Sequence, residues 1–297
     1  MHEVINDSIC SDCGKTINIS YEVINENECE ITKGVLEGNV SIPKSIDGYI
    51  VTSIGDEAFS GCSGLMSITI PSSVTSISKY AFIGCSSLQY NEYDNAYYLG
   101  NKTNPYIVLV KAKVTDITSC IINEKCKFIH SSAFSSCSGL ASIIIPESVT
   151  SIGTSAFEGC SSLESITLPF IGDKLDNPTI THFGYIFGAS SSFNNPAFVP
   201  SSLKEVIVTK ATSIGYGAFW GCSSLTSITI PEGVTSIGNG AFSGCSGLNK
   251  IYYGGNATDW NKLYIRPYYG TVYYYSETKP TTSGNYWHYV GGEVKEW

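Results

Sequence analysis

Charged side chains are scarce in this sequence, and positive ones are the scarcest. Charged residues make up 14% of the 297 positions, whereas about a quarter is usual for globular domains. The 17 basic residues are outnumbered by 26 acidic ones, which gives a formal net charge of −9. Nucleic acids and anionic membrane surfaces are bound through basic surfaces. The composition therefore argues against both kinds of partner.

Long apolar runs are missing as well. No stretch of the sequence approaches the run of about 18 apolar residues that indicates a membrane-spanning helix, so no membrane insertion is predicted. The first residues, Met1 to Asp7, lack the basic and apolar regions of a signal peptide. Two alternatives follow from this start: a cytosolic protein, or a chain whose leader has been trimmed.

The sequence also lacks a recognisable catalytic constellation. None of its four histidines stands in such a pattern; they are His2, His130, His182 and His288. Serine is so common that a Ser-His-Asp set could be assembled almost anywhere and carries no weight. The carboxylates of Glu147 and Glu232 follow positions where strands are expected to end, and we interpret them as solvated. We predict no enzymatic activity, no cofactor and no catalytic metal site.

What the chain has instead is one phrase that returns with a period of 23 residues. The period separates three pairs of cysteines, which are Cys62 and Cys85, Cys137 and Cys160, and Cys222 and Cys245. A phenylalanine precedes each of these cysteines by three positions, and a leucine follows it by three. A fixed period of about 20 to 29 residues with a Leu-x-x-Ile-x-Ile core predicts a leucine-rich solenoid, which is an architecture for binding.

The segment from Leu65 to Leu88 illustrates one predicted coil. Residues 67–70 alternate as Ser-Ile-Thr-Ile, so the isoleucines point into the core and the hydroxyls point away from it. Pro71 ends this strand because it cannot donate to a continuing ladder. A second short extended stretch follows, and a helical turn is expected to bury Phe82. Stacked coils then pair as parallel strands, so that each inward position forms a ladder of like residues.

The coil spacing is interrupted twice, which predicts two insertions. The lead positions of the coils are Leu65, Leu88, Ile117, Leu140, Leu163, Leu203, Leu225 and Leu248. We expect an insertion near 91–113 to form a hairpin, and one near 170–200 to form a Ser/Asn/Pro-rich loop. The predicted domains are an N-terminal cap or extension over 1–34, the solenoid over 35–250 and an aromatic C-terminal capping region over 251–297.

The repeated phrase resembles a known family. Its pattern is Val-Thr-Ser-Ile-Gly-x-x-Ala-Phe-x-Gly-Cys-Ser-x-Leu-x-x-Ile-x-Ile-Pro, nearly intact at 51–71, 149–169 and 211–231. This pattern resembles the BspA-like class of leucine-rich repeats over about residues 35 to 250. The resemblance implies a secreted or cell-surface protein that binds host or bacterial partners. It implies no catalytic residue.

The repeated cysteines have two interpretations. Six of them occupy the inward position of a coil, where a buried thiol behaves as a small hydrophobic group. Adjacent coils would also bring like cysteines within disulfide range, so bridges between Cys62 and Cys85 or between Cys222 and Cys245 are an alternative.

The N-terminal cysteines pose a separate question. Cys10 and Cys13 form one half of a zinc-ribbon-like knuckle. A structural zinc ion needs four ligands, and only Cys29 and His2 stand nearby in the sequence. A zinc site, a local disulfide and free thiols are the three alternatives here.

The strand face that points away from the core is the predicted contact surface. Small hydroxyl residues recur along it, and the candidate partner-binding residues are Tyr90, Glu92, Ile121, Ile144, Ile207 and Tyr252. Exposed Tyr and Ile side chains beside an acidic residue are typical of a protein-contact site. The alternative is that the hairpin near 91–113 folds over Ile121 and Ile144 and makes them a small satellite core.

The aromatic C-terminal region also has two interpretations. It is predicted to contain further strands, with Gly291 and Gly292 as a turn, and its aromatic residues suit a cap that covers the end of the core. The alternative is a glycan-binding module in which sugars stack on Trp260, Tyr268, Tyr269 and Trp287.

The combined prediction is a β-rich leucine-rich-repeat solenoid, α/β horseshoe-like, with parallel strands and short helical turns. We expect one elongated, right-handed solenoid that acts as a non-enzymatic, adhesin-like protein at the bacterial cell surface or in the secretome. A protein of a host or bacterial surface is the expected partner. A glycan-binding module and a structural spacer are the alternatives.

Overall fold

The computed structural model describes residues 4–9, 16–78, 80–175, 177, 179–263 and 270–297. The contact pattern divides the chain into two compact units. The first comprises Met1–Lys113, Ile121–Ala133 and Ser148–Ala156, and the second comprises Val114–Cys120, Phe134–Glu147 and Phe157–Trp297.

Almost all regular structure in the described residues is β-strand. The strands of the first unit are β1 (Val4–Ile9), β2 (Thr16–Val23), β3 (Glu28–Val35), β4 (Gly38–Ser41), β5 (Ser45–Ile46), β6 (Tyr49–Ile54), β7 (Leu65–Thr69), β8 (Ser76–Ile77), β9 (Asn91–Tyr93), β10 (Ala96–Leu99), β11 (Val108–Ala112), β12 (Phe128–Ile129) and β14 (Ser151–Ile152). The strands of the second unit are β13 (Ser142–Ile144), β15 (Ser165–Leu168), β16 (Glu205–Val208), β17 (Ser213–Ile214), β18 (Ser227–Ile230), β19 (Ser236–Ile237), β20 (Lys250–Tyr253), β21 (Thr271–Tyr275), β22 (Tyr286–Val290) and β23 (Glu293–Glu296).

Among the described residues, helices are few and short. Two 3-10 helices span Phe183–Phe187 and Ser192–Asn194, and two α-helices follow as α1 (Asn195–Phe198) and α2 (Ala257–Lys262). The repeated Ala-Phe segments form turns in which an N–H donates to the carbonyl three residues earlier, as Cys62 does to Phe59 and Leu65 does to Cys62. These turns close the coils.

The first unit contains two larger sheets. In one, β1, β2 and β3 form an antiparallel meander, and β3 then pairs in parallel with β6, which also pairs with β5 and β8. In the other, β9, β10 and β11 are antiparallel, while β11, β12 and β14 are parallel. The predicted hairpin in the first insertion is therefore confirmed, and its second arm continues the sheet of the coils.

The second unit contains one eight-stranded sheet in the order β13-β15-β16-β18-β20-β21-β22-β23. Its strands are parallel up to β22, and β22 and β23 are antiparallel. The turn between them has positive φ at Gly291 and Gly292, a conformation that glycine adopts at little cost. The predicted C-terminal strands and their glycine turn are confirmed.

The cores contain the predicted ladders of like residues. The rings of Phe134 and Phe157 stack at 5.2 Å, and those of Phe219 and Phe242 stack at 5.6 Å, both with an interplanar angle of 7°. In the strands of the second unit, Ile143 pairs with Ile166 in register. The architecture is a leucine-rich-repeat β-solenoid, because coils of constant period place the same side chain at the same depth.

The second insertion is not a simple loop. The ring of Phe183 lies 5.0 Å from that of Phe219, and that of Phe187 lies 6.4 Å from that of Phe157. The backbone N–H of Phe157 also donates a hydrogen bond to the carbonyl of Ile186. Residues 183–187 thus continue the phenylalanine ladder between two coils, although they lack the repeated phrase.

All nine cysteines of the described residues are free and buried. Cys85, Cys160 and Cys245 each donate from Sγ to a carbonyl of the preceding coil, over 3.0 to 3.2 Å. The disulfide alternative for Cys62–Cys85 and Cys222–Cys245 is therefore wrong in this structure. Cys29 is also a free thiol, whereas Cys10, Cys13 and His2 lie outside the described residues.

Candidate functional site

The candidate contact surface of the first unit is centred on Ile121, and we call it the Ile121 patch. It consists of Tyr90, Glu92, Asp94 and Ile121. Ile121 is 64% exposed, and its backbone N–H donates to the Asp94 carboxylate over 2.7 Å. This bond holds Ile121 against the turn between β9 and β10. The hairpin leaves the side chain open, so the alternative in which it covers Ile121 is wrong.

Tyr90 forms the aromatic side of the Ile121 patch. Its ring centroid lies 5.5 Å from that of Tyr97, and Lys111 Nζ lies 5.3 Å from the Tyr90 centroid, which is within cation–π range. Tyr90 packs against the buried core of the first unit, and this burial raises the pKa of its hydroxyl. The core therefore holds the Tyr90 ring in place, with the Lys111 ammonium group beside it.

Charged groups form the rim of the patch. Lys113 Nζ lies 2.6 Å from Glu92 Oε2, and the hydrogen bond from this ion pair raises the pKa of Lys113. Tyr93, the next residue of β9, points to the opposite face of the strand, with its ring 5.5 Å from that of Tyr106. An apolar and aromatic centre with a polar rim is the usual anatomy of a protein contact.

The other three predicted contact residues lie in the second unit. Ile144 is 69% exposed and Ile207 is half-buried. Tyr252 is buried, so its prediction as an exposed contact residue is wrong. Its hydroxyl donates to Glu296 over 2.7 Å, and its ring lies 5.8 Å from that of Trp287. The hairpin of β22 and β23 covers it.

A groove of about 630 Å³ runs along the ends of the parallel strands in the second unit. We call it the strand-end groove. Its floor and one side come from the ends of β13, β15, β16 and β18 and from the turns that follow them, while the C-terminal strands supply the other side. The lining residues used below are Ile144, Glu147, Thr167, Ile207, Thr209, Thr229, Glu232, Tyr275, Trp287 and Tyr289.

The C-terminal hairpin lies across the outward strand face that borders this groove. Glu296 of β23 accepts hydrogen bonds from Lys250 Nζ over 2.6 Å and from the Tyr252 hydroxyl over 2.7 Å. Burial and then the charge of Glu293 raise the pKa of Glu205 in β16. The hairpin thus brings additional acidic groups to the face.

Two threonines of the groove have hydroxyls that lack a partner. Thr229 is only 1% exposed, although it lies on the strand face opposite the core residues Ile228 and Ile230. The buried Oγ1 atoms of Thr229 and Thr209 have no hydrogen-bond partner among the described residues. A buried hydroxyl that stays without a partner costs about 1–3 kcal/mol.

The predicted glycan-stacking residues are not exposed platforms. Trp260 and Trp287 are both buried, so the prediction of exposed stacking rings is wrong for them. The Trp260 ring packs 5.3 Å from that of Tyr253, and Trp287 Nε1 donates to the Tyr253 carbonyl over 2.9 Å. They close the end of the core, as the cap interpretation predicts. Tyr268 and Tyr269 lie outside the described residues.

Trp287 nevertheless has a place at the groove. Its ring meets those of Tyr275 and Tyr289 edge to face, at 5.2 and 4.9 Å. Both tyrosines are partly exposed, at 39% and 45% respectively. A buried tryptophan therefore fixes two exposed tyrosines along the wall of the strand-end groove.

The histidines of the described residues are not arranged for catalysis. His182 is buried, with Nε2 3.0 Å from the carbonyl of Ala189. His130 lies between the carbonyls of Ser131 and Ser78, and burial lowers its pKa. Within the described ranges, no group of His, Cys, Asp and Glu could hold a metal ion. No described helix is long and apolar enough to cross a membrane.

The fold is a leucine-rich-repeat β-solenoid. Six copies of the BspA type leucine rich repeat region match residues 30–103, 112–181 and 189–264, which together cover most of the chain. The chain belongs to the BspA-type leucine-rich repeat family. No curated protein sequence matches it significantly.

Several solved structures are similar to this chain. A leucine-rich repeat protein from Bacteroides ovatus is 26% identical over 80% of this chain and 70% of its own, with a TM-score of 0.30. The T. pallidum leucine-rich repeat protein is 23% identical over 85% and 96%, with a TM-score of 0.33. A leucine-rich cell surface protein from Faecalibacterium prausnitzii is 21% identical over 82% and 95%, with a TM-score of 0.25. Because these TM-scores are low, the family assignment rests on the repeat match.

The sequence pattern does not indicate several residues of the two candidate sites. Asp94 and Lys111 of the first unit, and Tyr275, Tyr289 and Thr229 of the second, were not singled out. Thr229 occupies an outward position of its strand, but the repeat pattern gives no sign that a later hairpin covers this position. A signal did exist for Glu147 and Glu232, because both follow a strand-ending proline where another coil has Pro71 and a serine.

Proposed function

We propose that this protein is a non-enzymatic, adhesin-like binding protein that contacts another protein through the Ile121 patch. The observation that carries the proposal is the 64% exposure of Ile121 at a strand-face position that holds threonine in three other coils. A large apolar side chain held open in this way is typical of a contact residue.

The surroundings of Ile121 support a protein as the partner. The bond from its N–H to Asp94 orders the backbone before binding, so little conformational entropy is lost when a partner arrives. The Tyr90 ring with Lys111 beside it offers a large amphipathic surface. Glu92 and Lys113 at the rim would orient a charged partner.

The proposal predicts that Ile121→Ser weakens binding of the partner. The full chain would be immobilised and exposed to mucosal extract and to bacterial envelope extract, and the captured protein would be identified and purified. We expect the purified protein to bind Ile121→Ser about tenfold or more weakly in biolayer interferometry, because a central contact residue contributes more than about 1 kcal/mol.

The matched control is Ile83→Ser. Ile83 is a similarly exposed isoleucine of the first unit outside the Ile121 patch, so its variant should bind like the parent. Equal binding by all three proteins would contradict the location of the contact surface. Failure of the parent to capture any protein from either extract would contradict protein binding and favour the spacer alternative.

We also propose that the protein acts at the bacterial cell surface or is secreted. The support is its membership of the BspA-type repeat family, because resemblance to this family implies a secreted or cell-surface protein. A surface position would present the Ile121 patch to host proteins or to proteins of other bacteria.

A further inference from the structure

We propose that the strand-end groove of the second unit is a binding site for a neutral saccharide. This site is separate from the Ile121 patch and goes beyond the protein contact proposed above. Its ligand class follows from three properties of the groove: the aromatic wall, the unpaired polar groups and the sign of its charge.

The aromatic wall can stack against a sugar ring. Tyr275 and Tyr289 expose much of their rings, and their centroids lie 6.3 Å apart with an interplanar angle of 47°. Trp287 supports both rings from behind. One face of a pyranose is lined with C–H groups, and amphipathic Tyr and Trp rings bind such a face while their polar ends stay hydrated.

The polar groups of the groove suit a ligand that is rich in hydroxyls. Thr209 and Thr229 contribute buried hydroxyls that have no partner among the described residues. A hydroxyl both donates and accepts hydrogen bonds, so a saccharide hydroxyl could satisfy either threonine. The carboxylates of Glu147 and Glu232 stand exposed at the lining and accept hydrogen bonds from the same kind of group.

Charge and size narrow the choice of ligand. Among its described lining residues the groove has two carboxylates and no cationic side chain, which opposes sialylated, sulfated or uronic sugars. Its volume of about 630 Å³ falls within the range of about 300–1,000 Å³ typical of small-ligand sites. The groove therefore fits a short neutral oligosaccharide better than an extended face of a protein.

The test uses the full chain on an array of defined neutral and anionic oligosaccharides, followed by isothermal titration calorimetry with each neutral sugar that binds. We expect Tyr289→Ala to raise Kd about tenfold, which corresponds to about 1.4 kcal/mol. Thr229→Val, which removes Oγ1 and preserves the shape of the side chain, should raise Kd about fivefold, as expected for one lost hydrogen bond.

The matched control is Tyr216→Ala. Tyr216 is a 57% exposed tyrosine of the second unit that does not line the groove, so this variant should bind the sugar like the parent. Circular dichroism melting checks that each variant is folded. If Tyr289→Ala or Thr229→Val does not fold, Glu147→Gln and Glu232→Gln take their place, since both carboxylates are exposed.

Several results would overturn the proposal. These are no binding of any neutral oligosaccharide at millimolar concentration, binding of anionic sugars only, and equal binding by the parent and the groove variants. Capture of a peptide or protein by the groove in place of a sugar would also overturn it. The two proposals fail separately, because Ile121→Ser should leave sugar binding unchanged and Tyr289→Ala should leave protein capture unchanged.

Discussion

At the scale of single residues, the repeated cysteines fill the core and also hydrogen-bond to the backbone. Cys85, Cys160 and Cys245 each donate to the carbonyl of a phenylalanine in the preceding coil. Burial raises the pKa of Cys85 to about 11 and that of Cys160 and Cys245 to about 12. These thiols are therefore neutral hydrogen-bond donors in the folded protein.

The raised pKa values predict a loss of stability at alkaline pH. Each thiol has a folded pKa above its unfolded value near 8.5, so its contribution is fully present below that pH. The contribution decreases as the pH rises towards 11 or 12, because the unfolded chain then releases protons that the folded chain retains. We expect the free energy of unfolding in urea, measured under reducing conditions, to fall by up to about 1.4 kcal/mol per pH unit for each such thiol.

Cys245→Ala isolates one of these contributions. Between pH 9 and 10.5, the free energy of unfolding of this variant should depend less steeply on pH than that of the parent. The difference between the two slopes should equal the contribution of one thiol, which is up to about 1.4 kcal/mol per pH unit. The comparison uses slopes, so the stability that the substitution itself removes does not enter. Identical slopes would show that Cys245 is not a buried, neutral donor.

At the scale of elements, the hairpin of β22 and β23 does most to shape the groove. It places Tyr289 and Trp287 opposite the strand ends, and Glu296 ties it to β20 through Lys250 and Tyr252. Burial acts to raise the pKa of Glu296, but the hydrogen bonds from Lys250 and Tyr252 outweigh it, so the pKa is lowered. The ionised form of Glu296 therefore holds the hairpin in place.

Glu296→Gln should loosen this hairpin. Because the ion pair with Lys250 is partly exposed and is screened by salt, we expect it to contribute about 0.2–1 kcal/mol. The amides of β22 and β23 should then exchange up to about fivefold faster in hydrogen-exchange mass spectrometry. In the parent, the same loosening should appear as the pH falls below about 4.3, the unfolded pKa of a glutamate.

Glu293→Gln is the control for the hairpin. Glu293 forms its ion pair with Lys295 within the same strand, so its loss removes a negative charge without removing a bond to β20. Exchange at β22 and β23 should stay close to that of the parent. Equal acceleration by both substitutions would show that charge alone, and not the bonds to Lys250 and Tyr252, holds the hairpin.

At the scale of the whole molecule, the repeats offer two surfaces that suit binding. The net charge is −9, and the described residues contain no metal-binding group. Two separate surfaces, the Ile121 patch and the strand-end groove, instead suit the binding of a protein and a saccharide.

The proposed location predicts that the protein is accessible on intact cells. Proteinase K added to intact bacteria should remove most of the signal from an antibody against this chain, or the protein should appear in the culture medium. A cytosolic marker must remain intact as the control for lysis. Complete protection of the protein together with that marker would contradict a surface or secreted location.

The regular part of the fold was predictable because it depends on local periodicity. Residues 67–70 show the alternation that places isoleucine inside and hydroxyls outside, and most of them lie in β7 as this pattern predicts. The exposure of Ile121 was one of two alternatives until the structure showed that the hairpin leaves it open. Phe183 joins the phenylalanine ladder without any repeated phrase around it, so periodicity could not reveal its position.

The sequence by itself determined the repeat family, the stacking of coils and the inward cysteines and phenylalanines, because each follows from a period that neighbouring coils must share. Only the tertiary structure decided that Tyr252 and Thr229 are buried and that Tyr275 and Tyr289 form a wall opposite Glu147 and Glu232. These positions depend on where the hairpin of β22 and β23 packs, which is a long-range contact between segments that share no period.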